Sequence, residues 1–143
     1  MDHVVYLDST AKELDLLLLG KKTMIIRGAT GRKIPYGRVN PEDLLTLINN
    51  NAEGLILAKA RVKSVFNSEK MTADESTGLI ESHHGQLQLT KKQFERWAGK
   101  RYLVLIEISD LAQLEPFQID KSAYGNLDDW LPVEKIENVR VNK

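Results

Sequence analysis

Residues 20–27 read GKKTMIIR, and the fold turns on how this octet is parsed. Gly20 follows a leucine-rich stretch in which Leu14, Leu17 and Leu18 share one helical face, so the glycine reads as the stop of a first helix. Thr23 to Arg27 then read as a short strand. The octet is a helix-to-strand handover that carries two lysines and an arginine. It runs into residues 27–38, RGATGRKIPYGR, where Arg27, Arg32, Lys33 and Arg38 stand with three glycines, Tyr36 and no carboxylate. Such a segment suits an anion, because glycines allow close backbone approach and guanidinium forks match phosphate oxygens. The alternative is a solvated hairpin kept soluble by its cations. Neither a Walker spacing nor a G-x-G-x-x-G fingerprint is present, Ile26 occupying the place where the Walker pattern needs glycine.

Outward from the octet, three helix starts are marked by one device, a threonine followed three residues later by Glu or Gln. Thr10 with Glu13 opens the first helix. Thr72 with Glu75 opens a second, running through Leu79 and Ile80 towards His83, His84 and Gly85. Thr90 with Gln93 opens a third, which carries Phe94 and Trp97 and stops at Gly99. Between them Ile56, Ala58, Ala60 and Val62 alternate with Leu57, Lys59, Arg61 and Lys63, the period of a half-solvated strand with three cations on its wet face. Tyr102 to Ile108 is apolar at nearly every position, as in a strand covered on both faces. Leu44 to Ile48, Pro116 to Ile119 and Trp130 to Val133 are weaker strand candidates, with Val139 to Val141 as a last edge. Pro35, Gly37, Asn49 to Asn51 and Tyr124-Gly125-Asn126 read as turns. One helix, several strands, two central helices and further strands predict an α+β domain built on a small curved sheet or partly open barrel with helices at its ends.

At 143 residues the chain is long enough for one domain with a continuous core, and residues 1–143 are read as that single domain. The absence of cysteine excludes disulfides, thiolate catalysis and iron–sulfur clusters, and fits a reducing cytoplasm. No apolar run reaches membrane-spanning length, so no membrane partner is expected. Formal net charge is zero, but nine cations against three acids lie between Lys21 and Lys63, leaving eleven cations and seventeen acids elsewhere. Attraction to a polyanion must come from that unevenness.

The octet also resembles the G-x-K-x-x-E-x-R signature of the ASCH domain, a branch of the PUA-like barrels. Gly20, Lys22 and Arg27 match, and Ile25 stands where the family has glutamate. Asn40-Pro41-Glu42-Asp43 resembles the Pro-Gly-Asp-like turn that follows in the family, with Glu42 in the glycine place. The order of helix, motif, turn, strand, helix pair and strand agrees along roughly the whole chain. The resemblance implies a PUA-like barrel that binds RNA or a nucleotide-like small molecule in a cleft beside the motif. One ASCH branch hydrolyses acetylated cytidine with a lysine, a threonine and a glutamate, the threonine three residues after the lysine. Here Thr23 follows Lys21 by two and Lys22 by one.

On this footing the sequence fits two functions. In the first, an RNA- or nucleotide-binding module, Lys22 and Arg27 form the floor of an electropositive cleft and Arg32, Lys33 and Arg38 reach phosphates. Tyr36 or Trp130 stacks on a base, and the loop from Tyr124 to Trp130 covers the cleft, with Asp128 or Asp129 accepting from a base amino group or pairing with Arg27 or Arg38. In the second, a small amidohydrolase or nuclease, Lys21 or Lys22 is the base and Thr23 the nucleophile, oriented by a carboxylate such as Glu107 or Asp128. An exposed apolar patch would instead mark a protein-interaction module. His83 and His84 are read as helix C-terminal residues and His3 as part of a mobile terminus. No metal or other cofactor is expected, and a monomer is.

Overall fold

The computed structural model describes residues 1–124 and 129–141. Six strands form one sheet in the order β2-β5-β4-β3-β1-β6. These are β1 (Asp2–Leu7), β2 (Met24–Ala29), β3 (Leu44–Asn49), β4 (Leu55–Asn67), β5 (Tyr102–Gln118) and β6 (Trp130–Glu134). Four helices accompany them: α1 (Glu13–Leu18), α2 (Ala73–Ser82), α3 (His84–Leu87) and α4 (Lys91–Trp97). All neighbouring strands are antiparallel except β1 and β3. The sheet curls into a half-barrel whose two edge strands are β2 and β6, and α+β is the class expected from the sequence.

The curl rests on the long β4–β5 pair, whose register slips at three places. Each bulge bends its strand and increases the local twist, which is how a long antiparallel pair wraps around a core. Ile56, Ala58, Ala60 and Val62 are all buried while Lys59, Arg61 and Lys63 are exposed, as their alternation requires. Tyr102 to Ile108 forms the first part of β5, which continues to Gln118 because β4 keeps pairing with it as far as Leu55. Inside the curl, Val5, Leu7, Ile25, Leu45, Leu47, Val62, Val104, Ile106 and Trp130 pack with Leu14 and Leu17 of α1. On the outer face Met24, Ile26, Leu103 and Leu105 meet Ile80, Leu87 and Trp97 from the three later helices. Period two in β2 thus sends Ile25 and Arg27 inward and Met24 and Ile26 outward. Ile25, at the family's glutamate place, is fully buried core.

The capping boxes Thr72–Glu75 and Thr90–Gln93 form in both directions, side chain to backbone and back. The first helix differs. It begins at Glu13 after Lys12 in the left-handed region, and Glu13 Oε1 accepts from the backbone of Asp8, 3.0 Å away, instead of from Thr10. Leu18 is 38% exposed, so of the three leucines expected on one face only Leu14 and Leu17 join the core.

His3 is not in a mobile terminus. Its strand β1 runs parallel to β3 in the interior of the sheet, His3 is fully buried, and its Nε2 lies 2.9 Å from Asp43 Oδ2. Trp130 Nε1 donates to His3 Nδ1 at 3.1 Å, which fixes the neutral imidazole with its proton on Nε2. Asp43 closes the Asn40–Asp43 turn by accepting from the Asn40 backbone at 2.9 Å. Glu42 in that turn has φ 74°, the left-handed conformation that glycine adopts without strain. The position where ASCH domains carry glycine therefore has the geometry that glycine suits.

Candidate functional site

Lys22 leaves α1 pointing into protein. Its side chain is 1% exposed, its ammonium donates to the Leu87 carbonyl, and Glu13 Oε2 lies 3.3 Å away. Burial pushes the lysine below its ordinary pKa, an effect that Glu13 opposes and Arg27 reinforces. The carboxylate beside this lysine is Glu13; Glu107 instead accepts from Ser64 and pairs with Lys63. Lys22 is therefore a structural cation behind the site and not its floor. Lys21 and Thr23 are exposed.

Arg27 is also largely buried. Its Nη1 donates to the Ile26 carbonyl and its Nη2 to the Tyr6 carbonyl of β1, both at 2.7 Å. Its Nε sits 3.3 Å from Asp129 Oδ2 without making a hydrogen bond. Arg96 of α4 reaches the same carboxylate oxygen at 3.4 Å. Around this meeting point lies a hollow of about 510 Å³. Its wall is built from three places: the β1–α1 loop (Asp8, Ser9, Thr10) with Glu13, the β2 end with its loop (Arg27, Gly28, Lys33, Ile34), and α4 with its exit (Gln93, Arg96, Trp97, Lys100). Tyr6 and Leu7 of β1, Asn50 and Asp129 complete it. Four cations face three acids, and one acid, Glu13, is already held by Lys22. The hollow is polar and only mildly positive.

Of the residues expected from sequence, Arg27 and Lys33 line this hollow. Tyr36 lines a small neighbouring recess that shares Arg27, Gly28, Lys33 and Ile34 with it. Tyr36 is no free stacking platform: its hydroxyl donates to the Ser68 carbonyl, and its ring meets Tyr102 edge-on at 5.6 Å. Arg32 stacks over both of these tyrosines, 5.6 Å from each ring centre. The RGATGRKIPYGR segment is thus a pinned loop, tied further by Gly37 donating to Asn67 at 2.9 Å. Arg38 is exposed and lines neither hollow. Trp130, expected to stack on a base, is 1% exposed; its indole fills the core with Arg27 5.7 Å above the ring. Tyr124 packs against the cluster of Val4, Ile48 and Leu131 at the far face of β1. Asp128, and with it the middle of the proposed cover loop, lies outside the described residues.

Sequence reasoning missed Arg96, Lys100, Gln93 and the Asp8–Thr10 turn. Lys91, Lys92, Arg96, Lys100 and Arg101 against the single acid Glu95 were a local signal of equal strength to the one in the loop. Among the described residues no group of three or more His, Asp or Glu side chains is placed to hold a metal ion, and no helix is long and apolar enough to cross a membrane.

The curled sheet, the helix before the motif strand and the three helices between β4 and β5 make up the same α+β fold as solved ASCH-protein structures. The chain is similar in structure to ASCH from Zymomonas mobilis, with a TM-score of 0.66 at 16% identity, covering 96% of this chain and 92% of that one. A tyrosine-to-phenylalanine variant of the same Zymomonas protein superimposes with a TM-score of 0.67 over 95% of this chain and 92% of that one, again at 16% identity. The N-terminal domain of Staphylothermus marinus McrB gives 0.53 at 9% identity, covering 92% of this chain and 87% of that one. At these identities the likeness is one of fold. No protein-family model matches the sequence, and no curated protein matches it.

Proposed function

We propose that this protein is a nucleic-acid-binding module that takes a nucleotide, free or part of an RNA strand, into the hollow between the β1–α1 loop and α4. The observation that carries the reading is the convergence of Arg27, Lys33, Arg96 and Lys100 from separate elements on one hollow of about 510 Å³. That volume is in the range of small-molecule sites, roughly 300–1,000 Å³. Cations meet phosphate, while Asp8, Ser9, Thr10 and Asn50 are groups that accept from base N–H and sugar hydroxyls. The ASCH-type fold supports the same class of ligand. That all six strands belong to one sheet supports reading residues 1–143 as one domain. Photo-crosslinking of a thiouridine-containing oligonucleotide tests the site: crosslinks should fall in peptides 6–13 and 93–100, and crosslinks confined to the β4 lysines would refute it.

A hydrolase is the second reading, favoured by one observation: Glu13 lines the hollow and stands 3.3 Å from a lysine whose pKa burial lowers. Thr23 lies outside the lining, so the nucleophile would be water or a different hydroxyl, Ser9 or Thr10. Release of acetate from acetylated cytidine, lost in Glu13→Gln, would establish it; no release by the wild-type protein retires it.

A further inference from the structure

Asp129 Oδ2 stands between two guanidinium groups that belong to different elements, 3.3 Å from Arg27 Nε and 3.4 Å from Arg96 Nη2. Arg27 cannot move away: its side chain is 7% exposed, and both Nη atoms are fixed on carbonyls. Its Nε is a buried donor with no hydrogen bond, at the wall of the hollow. Asp129 and Arg96 are freer, with side chains 32% and 59% exposed. One fixed donor, one mobile donor and a displaceable carboxylate between them form an anion subsite occupied by the protein's own acid.

We propose that a terminal phosphomonoester, the phosphorylated end of a nucleotide or strand, replaces Asp129 at this subsite, and that Asp129 thereby discriminates against internal phosphodiesters. The inference rests on the nucleotide reading of the hollow. A diester carries one negative charge, so exchanging it for a carboxylate gains no Coulomb energy. A monoester carries about −1.5 to −2 near neutral pH and presents three acceptor oxygens, enough to engage both arginines at once. The rest of the lining argues the same way. Asp8 and Glu13 share the hollow, and a second phosphate placed there would face two further carboxylates.

The test is competition binding with a nucleoside, its 5′- and 3′-monophosphates, and a dinucleotide whose only phosphate is the internal diester. One extra charge beside a guanidinium at a protein surface should make a monophosphate bind at least about tenfold tighter than the dinucleotide. The 5′ and 3′ forms show which end is read. In Asp129→Asn the dinucleotide should gain affinity and the preference should shrink. Arg96→Gln, which leaves the Arg27–Asp129 pair in place, should lose monophosphate affinity, and this covers the case in which Asp129→Asn folds poorly. Equal binding of monophosphate and dinucleotide by the wild-type protein overturns the inference and leaves the nucleotide site standing. Failure of all four ligands to bind removes the site itself.

Discussion

The Arg27 guanidinium donates to the Tyr6 carbonyl at 2.7 Å, and in doing so joins the motif strand β2 to β1 across the open side of the half-barrel. In the sheet these strands are separated by β5, β4 and β3. The same side chain holds Ile26 and approaches Asp129, the residue before β6, so it bridges the gap between the two edge strands. The arginine of the signature is thus a structural staple. Arg27→Met should leave the Tyr6 and Ile26 carbonyls without this donor, each lost partner costing about 1–3 kcal/mol, while Asp129 keeps Arg96. Urea unfolding should show that loss, whereas an unchanged midpoint would mean that the staple is ornamental.

Lys22 and Glu13 are a buried ion pair 3.3 Å apart. Removing one partner strands the other charge in the interior, so Lys22→Met should destabilise by about 3–5 kcal/mol. The double variant Glu13→Leu/Lys22→Met should recover much of this, because well-packed apolar groups replace such pairs at little cost. A double-mutant cycle reads the difference. If the two losses simply add, the pair is not coupled.

His3 makes stability depend on pH. Burial lowers its pKa below the 6.5 of the unfolded chain, with the bond to Asp43 acting the other way. Asp43 is itself pushed up by burial, but its bonds to His3 and to the Asn40 backbone leave it below its ordinary value. For His3 the unfolded state binds the proton first, so its contribution is complete above pH 6.5 and is lost as pH falls through the folded value. Asp43 adds a further loss at lower pH, below its unfolded value of 3.8. Protonating His3 also puts a proton on the nitrogen that accepts from Trp130. Urea midpoints measured between about pH 7.5 and 5.5 should fall for the wild-type protein and vary less for His3→Gln. Parallel curves would place the titration elsewhere.

Glu42 at φ 74° carries a side chain in a conformation that costs a non-glycine residue about 1–2 kcal/mol, against roughly 0.5–1 kcal/mol for the extra chain entropy of glycine. The hydrogen bonds from Glu42 N–H to Val62 O and from Arg61 to Glu42 O use its backbone atoms and survive truncation. Glu42→Gly should therefore raise the midpoint slightly. A clear fall would show that the carboxylate has a role of its own.

What the sequence makes legible here is mostly local. Thr72–Glu75 and Thr90–Gln93 cap their helices from three residues away, and the Ile56–Val62 alternation needs only its own strand. The signature around Gly20 carried the fold because it marks a handover whose order the rest of the chain repeats. The site was less legible because its parts are far apart: Arg96 and Arg27 meet on Asp129, and His3 finds Asp43 and Trp130, over separations of 40 and 127 residues. Charge identity misled as well. Lys22 looked like a ligand contact because lysines are rarely buried, and the acid that permits its burial, Glu13, is reached only when the chain folds back after α1. Trp130 beside two aspartates looked half-exposed, yet its one polar atom is satisfied by a buried histidine.

Arg96 and Lys100 carry the binding claim, since they are the lining cations that sit on α4 and its exit and are not built into the core. The most direct test is the salt dependence of affinity for a short 5′-phosphorylated RNA, compared between the wild-type protein and Arg96→Ala/Lys100→Ala. Each phosphate contact on a single strand contributes about 0.7 to the log–log slope, so the double variant should bind more weakly and with a slope shallower by about 1.4. Wild-type affinity and slope retained in that variant would contradict the account.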